Sequence, residues 1–156
     1  NAHYYWGQAA MNTGNLDLAL QEANKEAKIN PRGAGPLLLM GDIYYLQRNY
    51  SKCISSYQLA VKMQPATSDV YVKLARCYRL LGSLDTALSL LKQAEALESG
   101  NPDVWKEMGG VYEMRNDAEG AVQAYRQYFN LAPNSPDRGL IEDRIKQLLN
   151  GQPTGE

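Results

Sequence analysis

A period of 34 residues constrains this chain more than any other feature of its sequence. Pro31 and Pro65 are one period apart, and Pro133 falls two periods after Pro65. Gly7, Gly41, Ala75 and Gly109 share one column, and Ala19, Cys53, Ala87 and Ala121 share another. Trp6, Met40, Leu74 and Met108 form a third, Ala10, Tyr44, Tyr78 and Tyr112 a fourth, and Ala23, Tyr57, Leu91 and Tyr125 a fifth. The register passes through four units without insertion or deletion. Such a period indicates a stack of small supersecondary units, none able to bury its apolar face alone.

Each unit reads as two amphipathic helices. In the third, Tyr71, Leu74, Ala75 and Tyr78 follow i, i+3, i+4, i+7 spacing and share one helix face. Gly82 and Ser83 interrupt, as a helix end and a cap. Leu84, Ala87, Leu88, Leu91, Ala94 and Leu97 then resume the spacing on a second helix. The fourth unit opens Asn101-Pro102-Asp103: a cap, a proline at the first helical position, and an acid at the positive helix end. Gly or Ala in the small columns lets two helices approach closely, and the large apolar residues one turn away fill the flanking space. Plentiful Ala, Leu, Gln, Glu and Lys favour helix, and 11 Tyr against 1 Phe suit the wet edges of a thin core.

The stretch from Trp105 through Met108, Gly109 and Tyr112 to Ala121, Tyr125 and Pro133 resembles the tetratricopeptide-repeat (TPR) family. Leu37, Met40, Gly41, Tyr44, Tyr50, Tyr57, Ala60 and Pro65 match the same pattern, and the resemblance runs over residues 1 to 135. It implies an all-α superhelix of eight repeat helices, with units at 1–33, 34–67, 68–101 and 102–135. Ser99 replaces the usual proline, Tyr128 a usual alanine, and the first unit carries Ala10, Ala23 and Glu26 in place of its neighbours' residues. That unit is expected to be the loosest, with Trp6 filling part of its gap. Ser135-Pro136-Asp137 starts a ninth, capping helix over 136–150, with Leu140, Ile141, Ile145, Leu148 and Leu149 on its apolar face. The polar tail 151–156 is expected to be disordered. No matching cap precedes Asn1, and the natural chain is expected to extend further in that direction. The end of the fourth unit, Tyr128 to Pro133, also resembles bacterial repeat proteins.

Charge narrows the partners. Lys and Arg number 16 and Asp and Glu 17, a net charge of -1, which gives no electrostatic reason for nucleic acid or an anionic membrane. The longest apolar stretch, Leu37 to Met40, is far short of a membrane span, so no direct membrane insertion is expected. No P-loop, G-x-S-x-G, H-E-x-x-H or G-x-G-x-x-G is present, and a single histidine, His3, builds no metal cluster. No enzyme activity, metal or cofactor is therefore expected. Cys53, in a small column, reads as a buried hydrophobe. Cys77 lies on a different helix and in a different column, and no bridge between the two is expected. Asn49-Tyr50-Ser51 fits a glycosylation acceptor by pattern, but its Tyr belongs to a packing column.

The resemblance implies a concave groove lined by the first helix of each unit. By column it presents Tyr4, Gln8, Met11 and Asn12, then Leu38, Asp42, Tyr45 and Leu46, then Val72, Arg76, Arg79 and Leu80, then Lys106, Gly110, Glu113 and Met114. Of these, Leu38, Tyr45, Leu46, Val72, Leu80 and Met114 form an apolar strip expected to be exposed. The clamp with which some TPR domains hold acidic chaperone tails would fall on Tyr4, Gln8, Leu39, Asp69 and Lys73. Only Lys73 has the required charge, so that ligand is rejected. The expected function is a non-catalytic scaffold holding a protein or peptide segment, with an acidic residue set against Arg76 and Arg79. Two competing readings stand beside it: neutralisation of those arginines by Asp42 and Glu113, and homo-oligomerisation through the N-terminal face.

Overall fold

The computed structural model of the chain describes residues 2–151; Asn1 and the expected tail beyond Gly151 lie outside the described residues. Nine α-helices and no strand occur among them: α1 Ala2–Asn12, α2 Leu16–Ile29, α3 Ala34–Leu46, α4 Tyr50–Met63, α5 Ser68–Leu80, α6 Leu84–Leu97, α7 Pro102–Met114, α8 Ala118–Leu131 and α9 Arg138–Leu149. The chain is an all-α superhelix of helical hairpins. α1 packs on α2, α3 on α4, α5 on α6 and α7 on α8, and each second helix packs on the first helix of the next hairpin. No described helix is long and apolar enough to cross a membrane.

The turn inside each hairpin follows from one backbone requirement. Gly14, Arg48, Gly82 and Asn116 occupy the same column, and all four have positive φ, between 58° and 82°. Glycine meets this without steric cost and Asn tolerates it, while Arg48 holds a strained conformation. The next residue caps the second helix. Asn15, Asn49 and Asp117 accept a bond from the backbone N–H three residues on, whereas Ser83 takes the position without such a bond.

Two columns of the sequence are coupled in space. A Cβ added to Gly41 would sit 2.5 Å from Tyr57 Cε1, and one added to Gly109 would meet Tyr125 in the same way. Where the small column holds Ala75 instead, the facing column holds Leu91, and both are buried. The flat tyrosine ring therefore needs the missing Cβ, and leucine does not. In the first hairpin the facing residue is only Ala23. The space is taken by Leu39 of the following unit, whose Cδ2 lies 2.8 Å from a Cβ built on Gly7. Trp6 does not fill that gap, contrary to expectation; it is 64% exposed.

Two further expectations are corrected. Cys53 and Cys77 are joined by a disulfide, with Cα atoms 6.5 Å apart. Their columns differ because the second helix of one hairpin faces the first helix of the next. The same 24-residue offset brings Ala19 to Ile43 and Ala87 to Val111 in shared core clusters. The capping helix starts at Arg138, not at Pro136, with Asp137 as its N-cap. Only Ile141, Ile145 and Leu148 of its expected face pack inward, while Leu140 and Leu149 are exposed.

Candidate protein-binding groove

Ion pairs between successive first helices, and between α7 and α9 with its N-cap, recur at one interval. Lys73 donates to Asp42 at 2.8 Å, Arg76 to Glu107 at 2.5 Å and Arg144 to Glu113 at 2.5 Å, and each pair is 31 residues apart. Lys106 pairs with Asp137 at the same interval. These contacts fall 31 residues apart rather than 34, one helical turn short of the sequence period. Residues three apart share a helix face, so the partner is found one turn before the residue of the same column.

That offset overturns the expected pairing of Asp42 with Arg76 and of Arg79 with Glu113. Asp42 instead accepts from Lys73 and from the Tyr57 hydroxyl, at 2.5 Å. Glu107, 7% exposed, accepts from Arg76 Nε and from Arg79 Nε at 3.1 Å, so one carboxylate serves two guanidiniums. Glu113 accepts from Arg144 and from the Tyr125 hydroxyl at 2.6 Å. Burial, and then the bonded Asp42, push the Tyr57 phenol far above its ordinary range; burial and Glu113 do the same for Tyr125. Burial would lower the Arg76 guanidinium, but Glu107 outweighs it and raises the value. Each tyrosine thus fills the space over its glycine and uses its hydroxyl to fix a groove carboxylate.

The proposed groove residues divide in two. Arg79, Lys106, Glu113 and Met114, with Gly110, line a cleft of about 1170 Å³. Gly110 makes room for Arg79, whose Nε would lie 3.3 Å from an added Cβ. Arg79 Nη1 reaches Met114 Sδ at 4.0 Å. The remaining residues lie outside this cleft. Tyr4 lines a smaller recess beside Gly35 and accepts from Gln8, and Met11 packs against the first core cluster with Tyr4. Leu38 and Tyr45 pack partly into the core between the second and third hairpins, and Arg76 stands over the Tyr45 ring at 5.8 Å. Asn12 and Leu46 are exposed, and Leu80 is half-buried. Val72, expected in the exposed strip, is buried in the core between the third and fourth hairpins.

The far wall of the cleft is α9, which contributes Leu140, Ile141, Asp143, Arg144, Gln147 and Leu148. Reading α9 only as a cap misses this wall. The signal was present: one period beyond Lys106, Gly110, Glu113 and Met114 stand Leu140, Arg144, Gln147 and Leu148. α9 therefore occupies the place of a fifth first helix. It is held there by Arg144 on Glu113, by Lys106 on Asp137 and by the Tyr128 hydroxyl on Asp137 at 2.7 Å.

Comparison with known proteins agrees with this architecture. Two family models described as tetratricopeptide repeat match residues 38–102 and 78–139. Anaphase-promoting complex subunit 3 of Schizosaccharomyces pombe is 28% identical over 148 residues, 95% of this chain and 22% of that protein's length. The crystal structure of the APC/C hetero-tetramer Cut9-Hcn1 superposes with a TM-score of 0.82 at 20% identity, covering 94% of this chain and 29% of that one. A thermophilic TPR protein in Thermus thermophilus superposes with a TM-score of 0.80 at 21% identity, covering 95% of this chain and 80% of that one. Matches in Schizosaccharomyces pombe and in Thermus give no support to a specifically bacterial origin. The periodic columns, the stacked hairpins and these matches agree: the chain belongs to the tetratricopeptide-repeat family.

Proposed function

We propose that this chain is a non-catalytic scaffold that holds a segment of another protein in the cleft between α7 and α9. The observation that carries this reading is the shared carboxylate of Glu107. Two guanidiniums share this one carboxylate, whereas Lys106 and Arg144 each have a carboxylate of their own, so Arg79 is the least neutralised cation lining the cleft. Exposed Met114 and Leu140 flank it as apolar contacts. The ligand is a segment with apolar anchors against these two side chains and an acidic residue set on Arg79. Family membership and the multisubunit assembly named among the structural neighbours support a protein partner by analogy.

A displayed library of short random peptides, selected on the folded chain, tests the proposal. Selected peptides should be enriched in Asp or Glu beside apolar residues. Arg79→Ala should weaken them about tenfold and flatten their salt dependence, as expected for loss of one interfacial charge pair. Its melting temperature should stay near that of the parent, because Arg76 still pairs with Glu107. Peptides without acidic residues, bound equally well by the variant, would contradict the assignment.

A further inference from the structure

Met114 breaks a column of leucines. One period before it stands Leu80, two before it Leu46, and one after it Leu148. Its Sδ lies 4.0 Å from Arg79 Nη1, while Arg79 Nε donates to Glu107 at 3.1 Å. Both cysteines are joined in the buried disulfide and no free thiol remains. The thioethers are therefore the sulfur atoms that a peroxide in solution meets. Of the five methionines, Met108 is buried, and Met11 and Met40 are half-buried against the first core cluster. Met114 is 46% exposed and lines the cleft. Met63 matches it at 45%, but lies on α4 and outside the cleft.

Resting on the cleft as the binding site, we infer that Met114 is an oxidation site through which a peroxide switches off ligand binding. The thioether sulfur attacks one peroxide oxygen, the O–O bond breaks, an S–O bond forms and water leaves. Sulfur loses two electrons and the peroxide gains them, giving methionine sulfoxide. Two consequences act in the same direction. In the epimer with oxygen on the Arg79 side, a weak sulfur acceptor becomes a strong oxygen acceptor one bond length nearer to Nη1. Arg79 is then held by Glu107 on one side and by the sulfoxide on the other, in competition with the acidic residue of the ligand. At the same time an apolar anchor of the cleft becomes polar. Leucine at the same column position undergoes no such chemistry.

The test exposes the whole chain to dilute hydrogen peroxide. Peptide mapping should find Met114 and Met63 oxidised and Met108 unchanged. Acidic peptides selected on the untreated chain should bind about tenfold more weakly, the scale of one lost anchoring contact. Methionine sulfoxide reductases should restore them. Met114→Leu, a volume-conserving change, should bind these peptides as the parent does and keep that affinity in peroxide, although Met63 is still oxidised. Nitrogen NMR of the arginine side chains should show a new Arg79 resonance on oxidation of the parent and none in Met114→Leu. Four results would each overturn the oxidation site: Met114 stays reduced while Met63 oxidises, the oxidised parent binds undiminished, Met114→Leu loses affinity in peroxide as the parent does, or Arg79 does not respond. Arg79→Ala separates this site from the cleft itself. If that variant weakens binding but oxidation does not, only the oxidation site falls; if it leaves binding unchanged, the cleft assignment falls and the oxidation site with it.

Discussion

Arg144 of α9 donates to Glu113 of α7, and this bond closes the cleft with a helix that begins as a cap. Glu113 raises the Arg144 guanidinium above its ordinary value, chiefly through the hydrogen bond. The interval between them, 31 residues, is the interval of Asp42 with Lys73 and of Arg76 with Glu107. A repeat protein of this kind therefore has two periods. One sets which residues share a column, and the other, a helical turn shorter, recurs among the ion pairs along the line of first helices.

The shared carboxylate gives the first prediction. Removing Arg79 leaves Glu107 paired, but Arg76→Ala with Arg79→Ala leaves a nearly buried carboxylate alone. The double variant should lose about 2–3 kcal/mol in urea unfolding, toward the lower end of what breaking a buried pair costs, because both arginines are partly exposed. Adding Glu107→Leu, the residue that Leu39 supplies in the same column, should restore most of it. Equal stability of the double variant and the parent would contradict the pairing.

The coupling of small and large columns gives the second. Gly109→Ala should cost about 1–3 kcal/mol, because the new methyl group runs into the Tyr125 ring. Tyr125→Leu in the same chain reproduces the Ala75–Leu91 arrangement and should recover part of the loss. A double-mutant cycle on thermal unfolding measures the coupling. Additive effects would mean that the two columns are independent.

The third concerns the disulfide. It closes a 24-residue separation and joins the second and third hairpins, for which a chain-entropy estimate is about 3 kcal/mol. Reductant should lower the stability of the parent by roughly that amount. Cys53→Ala with Cys77→Val copies the Ala87–Val111 joint, and this variant should fold and be indifferent to reductant. A parent indifferent to reductant would show that the bond contributes nothing.

Acid should loosen the docking of α9. Burial alone would raise the Asp137 carboxyl, but the bonds from Lys106 and Tyr128 outweigh it and hold the value below the usual carboxylate range. A lowered value means that the stabilisation is complete above the ordinary pKa, about 4, and is lost as pH falls through the lower folded value. Asp137→Asn keeps a good N-cap residue and removes the charge. The gap between parent and variant in urea unfolding should be about 1 kcal/mol at neutral pH and should close in strong acid. A gap that does not narrow would place the stabilisation elsewhere than in the charge.

Most of the fold was legible because the period is unbroken. Gly41, Tyr57, Gly109 and Tyr125 could each be assigned to a packing column from sequence alone, and the hairpin breaks fall where Gly14 and Gly82 stand. What remained hidden depends on how neighbouring helices are offset. A 34-residue comparison sets Asp42 beside Arg76, whereas the packed helices set it beside Lys73. The same blindness separated Cys53 from Cys77, whose contact crosses between hairpins. At the cleft, Glu107 shares its column with Leu39 and Lys73, so no shared chemistry marks it. The apolar face of α9 marks only a cap, and its role as a wall shows in the groove columns continued one period beyond α7.

Where a bound segment protects the backbone tests the central claim most directly. Hydrogen exchange of the chain, alone and saturated with a peptide from the library selection, reads every helix in one experiment. Binding in the cleft predicts added protection concentrated in α7 and α9, with α2, α4 and α6 unchanged. Protection confined to α1 or to the second helices, with α7 and α9 unmoved, would contradict the cleft as the binding site.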